Sequence, residues 1–228
     1  MNGDRTIAEG ISIIGGSEIS STDDAAVFIV ECGDELVMID SGAGRSFDSL
    51  LGNIEGLFLD PHRISTLVLT HCHIDHIGSA PLFRDRVGCA LLCHELDADA
   101  IESGDSEATA ADWYDREFPP TPLDGKLTGD GGFLTCGDEE IHWIHTPGHT
   151  PGSISLYIDR GGKRILFGQD IHGPFLRRFR SDIGQWRRSM EKLLELKADI
   201  LCEGHFGIYR SNESVESYIR GYLRTYAS

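Results

Sequence analysis

Short apolar and β-branched runs separated by polar turns dominate the first 70 residues and predict strands. Three of these runs cover 10–14, 25–31 and 35–39, and the Gly-Asp and Ser-Thr-Asp-Asp turns between them predict a meander. Helical periodicity follows from Ser46 to Phe58, and the run from Ser65 to Thr70 predicts another buried strand. The chain therefore opens as a strand-rich unit interrupted by one helix.

The rest of the chain alternates strand-like runs with polar loops. Strands are predicted over 164–167 and at 200–201, and residues 211–224 repeat apolar positions at the spacing of an amphipathic helix. The segment 96–128 differs in composition, because it is first acidic and alanine-rich and then rich in proline and glycine. It predicts a pair of helices and an irregular loop inserted in the domain.

Length and composition agree with one globular domain over residues 1–228. Hydrophobic residues make up 40% of the chain and charged residues 25%, which is ordinary for a globular protein. No stretch reaches the roughly 18 uninterrupted apolar residues of a membrane helix, and the first residues carry charges where a signal peptide would be apolar. We therefore expect a cytoplasmic protein without a membrane partner.

The net charge of −17 narrows the possible partners. Nucleic acids bind clustered Lys and Arg, so we expect no nucleic-acid partner. The basic residues cluster at Arg177, Arg178 and Arg180, followed by Arg187 and Arg188, and this cluster is either a solvated helix start or a site for a substrate carboxylate. We expect a small-molecule substrate as the partner, and a homodimer stays open.

The cysteines, at positions 32, 72, 89, 93, 136 and 202, show no disulfide framework in a chain of this size without a secretion signal. Cys89 and Cys93 lie four apart in an apolar run and predict buried thiols on one face of a strand. Cys72 lies between two histidines, but its side chain is expected to point away from theirs on extended backbone. It is therefore predicted to be a core residue.

The run His71-Cys72-His73-Ile74-Asp75-His76 predicts a metal site. Three imidazoles and a carboxylate within six residues crowd one another unless a cation neutralises them. The strand predicted before them places the run at a strand end, where open α/β sheets hold their sites. On extended backbone His71 and His73 project side by side, whereas Asp75 and His76 turn toward a different point. One loop can therefore serve two metal ions.

Three further candidate ligands each follow a strand-like run. His149 lies between two Pro-Gly turns, Asp170 ends an apolar run, and His205 lies in a glycine-flanked loop. Six residues cannot fill two coordination spheres of about four groups each, so these side chains are expected to complete them. Asp170 is the candidate for a carboxylate that bridges both metals.

This set of residues resembles the pattern of the metallo-β-lactamase superfamily, a His-x-His-x-Asp-His loop followed by a His, an Asp and a last His. The resemblance runs from about residue 10 to residue 207. It implies an α+β fold, the four-layer αββα sandwich, with the site at one edge of its two sheets. Asp40 matches the aspartate that supports the ligands from behind. The resemblance also implies two divalent ions, one held by His71, His73 and His149 and the other by Asp75, His76 and His205, with Asp170 between them.

The resemblance further implies hydrolysis. Two divalent ions sharing a water lower its pKa from about 15.7 to about 7, and the hydroxide attacks an ester, thioester or lactone carbonyl. Asp75 and Asp170 are expected to orient this hydroxide or carry its proton. Zinc is the expected ion, and iron and manganese accept similar ligands. The insertion at 96–128 is implied either to shape the substrate pocket or to anchor its helices to the core, through Trp113, Tyr114 and Phe118.

Individual residues help to distinguish between the reactions that members of the superfamily catalyse. The run 146–152 resembles glyoxalase II-type thioester hydrolases, but only 23 residues follow His205, too few for their glutathione-binding domain. Gly173, beside His172, occupies the position of the tyrosine that lactonases carry, which argues against a lactonase. A β-lactamase is expected to carry an export signal, and none is recognised here.

The ligand set also bears on functions other than hydrolysis. A persulfide dioxygenase holds one iron with the equivalents of His71, His149 and Asp170, and this alternative stays open. Flavodiiron oxygen reductases carry Glu in place of His73, which argues against them. A non-catalytic metalloprotein would have lost ligands, and none is missing.

Overall fold

The computed structural model describes residues 5–226, which contain two β-sheets. The first sheet follows the order of the chain, with antiparallel strands up to β4 and parallel strands from β4 to β7. Its strands are β1 (Thr6–Ala8), β2 (Ile11–Gly15), β3 (Val27–Cys32), β4 (Glu35–Ile39), β5 (Ile64–Val68), β6 (Ala90–His94) and β7 (Gly125–Leu127).

The second sheet has the strand order β13-β12-β11-β10-β9-β8, in which β11 and β12 are parallel and the other neighbours antiparallel. The parallel pair brings the carboxyl ends of β11 and β12 to one edge, and β4, β5 and β6 do the same in the first sheet. The strands are β8 (Gly131–Cys136), β9 (Glu139–His145), β10 (Ile154–Arg160), β11 (Lys163–Gln169), β12 (Ile200–Glu203) and β13 (Ile208–Arg210).

Helices cover the outer face of each sheet. Because successive strand residues point to opposite faces, Ile29 packs under the helices of the first sheet while Val30 faces the second sheet. On the other side, Trp186 and Ile219 pack their helices against Leu201 of β12. The helices are α1 (Phe47–Glu55), α2 (Ile74–Ile77), α3 (Ala80–Leu82), α4 (Glu95–Ser103), α5 (Ile183–Glu195) and α6 (Asn212–Thr225). These layers confirm the αββα sandwich.

The meander, the helix after it and the amphipathic C-terminal helix are confirmed as β2 to β4, α1 and α6. The helix pair predicted within 96–128 is wrong in its second member. The first helix is α4, but the second is a single 3₁₀ turn, Ala111–Tyr114. Ala110 and Asp115 flank this turn with φ of 57° and 51°, and left-handed residues on both sides prevent a helix from continuing. No helix within residues 5–226 has the length and apolar character to cross a membrane.

The prediction that the cysteines form no disulfide framework is wrong for one pair. Cys32 and Cys136 form a disulfide with Cα atoms 5.5 Å apart, although 104 residues separate them. They lie at the ends of β3 and β8, which belong to different sheets, and neither spacing nor composition shows that these ends meet. Cys72, Cys89 and Cys93 are buried and free as predicted, and Cys72 Sγ donates a hydrogen bond to Ala108 O.

Candidate metal centre

All seven candidate ligands meet at the edge where the parallel strands of both sheets end. The loop after β5 carries four of them, and α2 begins inside it at Ile74. The β9–β10 loop carries His149, and Asp170 and His205 follow β11 and β12 directly. The side chains form two groups: the first group is His71, His73 and His149, and the second group is Asp75, His76 and His205.

Ring nitrogens converge in the first group. His73 Nδ1 lies 3.2 Å from His71 Nε2 and 2.8 Å from His149 Nε2. The three imidazoles are buried and lie edge to face, with ring centroids 4.5 to 4.9 Å apart. Three nitrogens aimed at one point are the donor arrangement of a tetrahedral metal site that keeps its fourth position open.

In the second group, carboxylate and imidazole atoms face each other. Asp75 Oδ2 lies 3.3 Å from His205 Nε2 and 3.8 Å from His76 Nε2. The side chain of His205 is 26% exposed, the most of the seven, so this group forms the open end of the site.

Asp170 lies between the groups and offers one oxygen to each. Its Oδ2 lies 3.4 Å from His149 Nε2, and its Oδ1 lies 3.1 Å from His76 Nε2 and 3.3 Å from His205 Nε2. This is the position that sequence reasoning predicts for a bridging carboxylate.

Asp40 supports the second group from behind, at the carboxyl end of β4. Its Oδ1 accepts a hydrogen bond from Thr70 N at 2.8 Å, and its Oδ2 lies 2.6 Å from His76 Nδ1. The Thr70 hydroxyl at 2.8 Å and the Gln169 side-chain amide also donate to Oδ2. An ionised carboxylate only accepts, so Asp40 keeps a proton on His76 Nδ1 and turns Nε2 toward the site.

The loop around His149 is fixed by close packing. His149 Nδ1 donates to Pro174 O at 2.9 Å, which turns its Nε2 toward the first group. Gly148 has φ of 141°, and a Cβ there would lie 2.4 Å from Trp186 Cα. Glycine is therefore required where this loop passes over α5.

Sequence reasoning missed the role of Glu203. This buried carboxylate accepts hydrogen bonds from the backbone N–H groups of His205 at 2.7 Å and Phe206 at 2.8 Å, and from His172 Nδ1 at 2.9 Å. It therefore holds the loop that presents His205. Its signal in the sequence was a Glu at the end of an apolar run, directly before the Gly-His pair.

The two groups differ in electrostatics. Burial lowers the pKa of all three histidines of the first group, so they are neutral and keep a lone pair for a cation. Burial acts the same way on His76, but Asp170 and Asp40 outweigh it and raise the His76 pKa well above its usual value. Asp170 likewise outweighs burial at His205 and raises the pKa to about 10. At neutral pH these two imidazoles are therefore protonated, and a metal ion bound by the second group would displace the protons on their Nε2 atoms.

The residues present fit metal ions. His76 Nε2 and Asp170 Oδ1 are buried without a hydrogen-bond partner among the described residues, although neighbouring polar atoms lie within ion-pair distance. Buried polar atoms without partners are rare in folded proteins, and cations placed between them would satisfy both. Imidazole with carboxylate is the donor set of zinc, and iron and manganese accept it as well.

A cavity of about 140 Å³ opens onto both groups and is walled by aromatic side chains. Trp113 and Tyr114 come from the 3₁₀ turn of the insertion, and Phe179 packs its ring 5.0 Å from Trp113 and 4.3 Å from His73. Phe118 does not reach this wall, because it is buried in the core under the first sheet. Burial and then Asp75 raise the pKa of Tyr114, so its phenol keeps its proton beside that carboxylate.

Most of the chain matches a known protein family. A sequence profile of the Metallo-beta-lactamase superfamily matches residues 22–205, a span that includes all seven candidate ligands.

Curated relatives match over most of their own length. The human acyl-coenzyme A thioesterase MBLAC2 is 29% identical, with 90% of this chain and 81% of the relative covered. The probable metallo-hydrolase YflN of Bacillus subtilis is 27% identical, with 79% and 80% covered.

Solved structures share the fold. A metallo-beta-lactamase from Cronobacter sakazakii superposes with a TM-score of 0.82 at 19% identity, covering 97% of this chain and 92% of the other. The subclass B3 metallo-beta-lactamase BJP-1 of Bradyrhizobium japonicum gives a TM-score of 0.78 at 21% identity, covering 96% and 89%. At these identities the likeness concerns the fold alone.

Proposed function

The chain belongs to the metallo-beta-lactamase superfamily, and we propose that it is a dinuclear metal-dependent hydrolase that cleaves thioesters. The coarser part, a metal-dependent hydrolase, follows from the family and from relatives named metallo-hydrolases and acyl-coenzyme A thioesterase. The two metals and the thioester are the proposal. The observation that carries it is Asp170, which turns one carboxylate oxygen toward each group of ligands.

The proposed metal set assigns the first group to one ion and the second group to the other, with Asp170 reaching both. Zinc is the proposed metal, because it suits imidazole-rich sites and hydrolysis needs no redox change. When bound, two such ions supply Lewis acidity and a nucleophilic water at neutral pH.

The residues of the chain supply the proton steps and the shape of the site. Asp75 and Asp170 place carboxylate oxygens at its centre, where they can orient the attacking water and accept its proton. Tyr114 keeps its phenolic proton beside Asp75 and can donate a hydrogen bond to the substrate carbonyl. Trp113 and Phe179 give the cavity an aromatic wall.

Two observations support a thioester over other carbonyl compounds. The relative named acyl-coenzyme A thioesterase covers 90% of this chain, and the run 146–152 resembles glyoxalase II-type thioester hydrolases. A groove of about 350 Å³ also adjoins His205, lined in part by Ile13, Ile19 and Phe206. We assign this groove to the acyl group, since the apolar residues of its lining suit a hydrocarbon chain, although Glu18 and Asp24 also line it.

The iron dioxygenase alternative needs only His71, His149 and Asp170. A single iron does not require the second group, yet the ligand atoms of Asp75, His76 and His205 also lie within 4.8 Å of one another. The dinuclear hydrolase is therefore the better supported of the two. A cytoplasmic location and a homodimer stay predictions.

Metal analysis with a substrate panel tests the proposal. Purified protein is expected to hold about two metals per chain, because seven ligands exceed the needs of one tetrahedral ion. It is also expected to release thiol from acyl thioesters. His205→Ala should lose the second metal and most of the thioesterase activity, whereas a mononuclear dioxygenase would keep its rate. His62→Ala, an exposed histidine outside the site, is the matched control. One iron per chain with oxygen-dependent turnover of a persulfide would refute the hydrolase.

A further inference from the structure

The segment from Phe175 to Arg180 separates the reaction cavity from a second, open groove. On the inner side, the Phe179 ring packs 4.3 Å from His73. On the outer side, Phe175, Arg177 and Arg180 border a groove of about 650 Å³ that continues to α5. One short segment therefore contacts the first group of ligands on its inner side and carries a basic surface on its outer side.

The three arginines of this segment have different tasks. Arg178 forms an ion pair with Asp112 and lies over the Trp113 ring at 5.3 Å, so it braces the aromatic wall. Arg177 and Arg180 are exposed, and no carboxylate within residues 5–226 lies within ion-pair distance of either. The Arg180 side chain donates one long hydrogen bond, to Leu96 O at 3.4 Å. Both guanidinium groups thus keep a charge that no carboxylate among the described residues neutralises.

The acidic residue of the groove does not neutralise them. Asp182 caps α5, where its Oδ1 accepts from Gln185 N at 2.8 Å, and Arg188 lies close enough to lower the Asp182 pKa further. The cleft on the other side of Arg180, which also contains Arg178, is lined by Asp99, Asp105 and Glu107 and would repel an anion. The groove at Arg177 is the basic one.

A local basic site matters in a chain with a net charge of −17. At physiological ionic strength charges are screened beyond about 8 Å, so a bound anion responds to the arginines beside it more than to the distant carboxylates. Guanidinium groups bind phosphate through paired, charge-assisted hydrogen bonds. Such a groove beside a reaction cavity suits a substrate with its phosphates at some distance from the scissile bond.

We propose that Arg177 and Arg180 bind the phosphate groups of the thiol half of the substrate, as in a coenzyme A thioester. This inference rests on the proposed thioesterase function. The substrate would then cross the site, with its acyl group in the groove beside His205, its thioester in the cavity at the metals, and its phosphates outside Phe175.

Paired substrates test this assignment. The double variant Arg177→Ala/Arg180→Ala of the metal-loaded protein is compared with wild type on an acyl-coenzyme A and on the N-acetylcysteamine thioester of the same acyl group, which lacks phosphate. The ratio of kcat/KM for the two substrates should fall about 10- to 100-fold, mainly through KM. Arg220→Ala on α6 removes a charge elsewhere and should leave the ratio unchanged. An unchanged ratio in the double variant would overturn the proposal.

Direct binding separates this inference from the proposed function. Calorimetry with coenzyme A itself needs no turnover, and the wild type should bind about 10- to 100-fold more tightly than the double variant. Arg177→Lys/Arg180→Lys should restore part of the affinity, since the charge remains but paired hydrogen bonds are lost. Binding without hydrolysis of any thioester would refute the function and keep the arginine site. Equal binding by wild type and double variant would refute the arginine site alone.

Discussion

Replacing Asp40 with asparagine removes one charge and almost no volume at a fully buried residue behind the ligands. The new side chain can still accept from Thr70 N through its remaining oxygen, but its NH₂ group would replace the oxygen that three donors face. Thr70 and Gln169 can reorient their side chains to accept a hydrogen bond. His76 can accept only by moving its proton from Nδ1 to Nε2, and Nε2 is the atom that faces the site.

The expected size follows from that proton shift. One charge-assisted hydrogen bond is worth about 1.5–3 kcal/mol, and each 1.4 kcal/mol is a factor of about ten, so affinity for the second metal should fall about 10- to 100-fold. Stability should change less. Burial raises the pKa of Asp40 because its carboxylate loses hydration, and a neutral amide relieves that penalty while weakening the hydrogen bonds. We expect the free energy of unfolding to fall by about 1–2 kcal/mol.

Chelator competition gives the metal affinity, and long-range ¹H–¹⁵N NMR of His76 gives the position of its proton. Asp24→Asn is the matched control, because Asp24 is also buried and accepts from Ala43 N at 2.7 Å, and its hydrogen bonds within residues 5–226 reach no candidate ligand. Asp24→Asn should lower stability without changing metal affinity. If Asp40→Asn kept the second metal with wild-type affinity, or kept the His76 proton on Nδ1, the reasoning would be refuted.

Two further substitutions and one thiol titration test the site and its support. Asp170→Asn should reduce activity by several orders of magnitude and lower the metal content more than Asp40→Asn does. The reason is that it removes negative charge that offsets the repulsion between two cations. A smaller loss of metal than in Asp40→Asn would exclude a bridging role for Asp170. Gly148→Ala should lower the free energy of unfolding by about 1–3 kcal/mol and reduce the affinity of the first group for its metal. Unfolding like that of the wild type would show that α5 can move to make room for the added Cβ. Thiol titration of unfolded protein should count four free cysteines without reductant and six with it, and six in both would exclude the Cys32–Cys136 bond.

The ligands could be placed from the sequence because their geometry is largely local. His71, His73, Asp75 and His76 share one loop after a strand, so their relative directions follow from extended backbone and the start of α2. Asp40 follows the same rule, because β4 and β5 are parallel neighbours whose carboxyl ends meet. The strands before Asp170 and His205 are parallel neighbours as well. Apolar runs therefore predicted that the ligands lie at strand ends, whereas the position of Asp40 and the division of the ligands into two groups were implied by the family resemblance.

The supporting residues could not be placed because their roles depend on contacts across the chain. Glu203 looks like a solvated carboxylate until the turn after β12 brings two backbone N–H groups to it. Tyr114 lies far along the chain from Asp75. A turn between two left-handed residues brings it back to that carboxylate, and hydrophobic periodicity does not predict this turn. Periodicity predicts which face of an element is buried, but not which distant loop covers an open edge.

The arginine segment shows the same limit for charge. In the sequence, Arg177, Arg178 and Arg180 form one cluster, and a single interpretation as helix start or anion site covers all three. In the structure a 3₁₀ turn, Arg177–Phe179, points Phe179 inward and divides the arginines among different neighbours. Arg178 meets Asp112 of the insertion, which neutralises it, whereas Arg177 faces the open groove. Whether an arginine supports the cavity wall or can bind an anion thus depends on whether the fold places a carboxylate beside it. The charges along the sequence do not show which carboxylate that is.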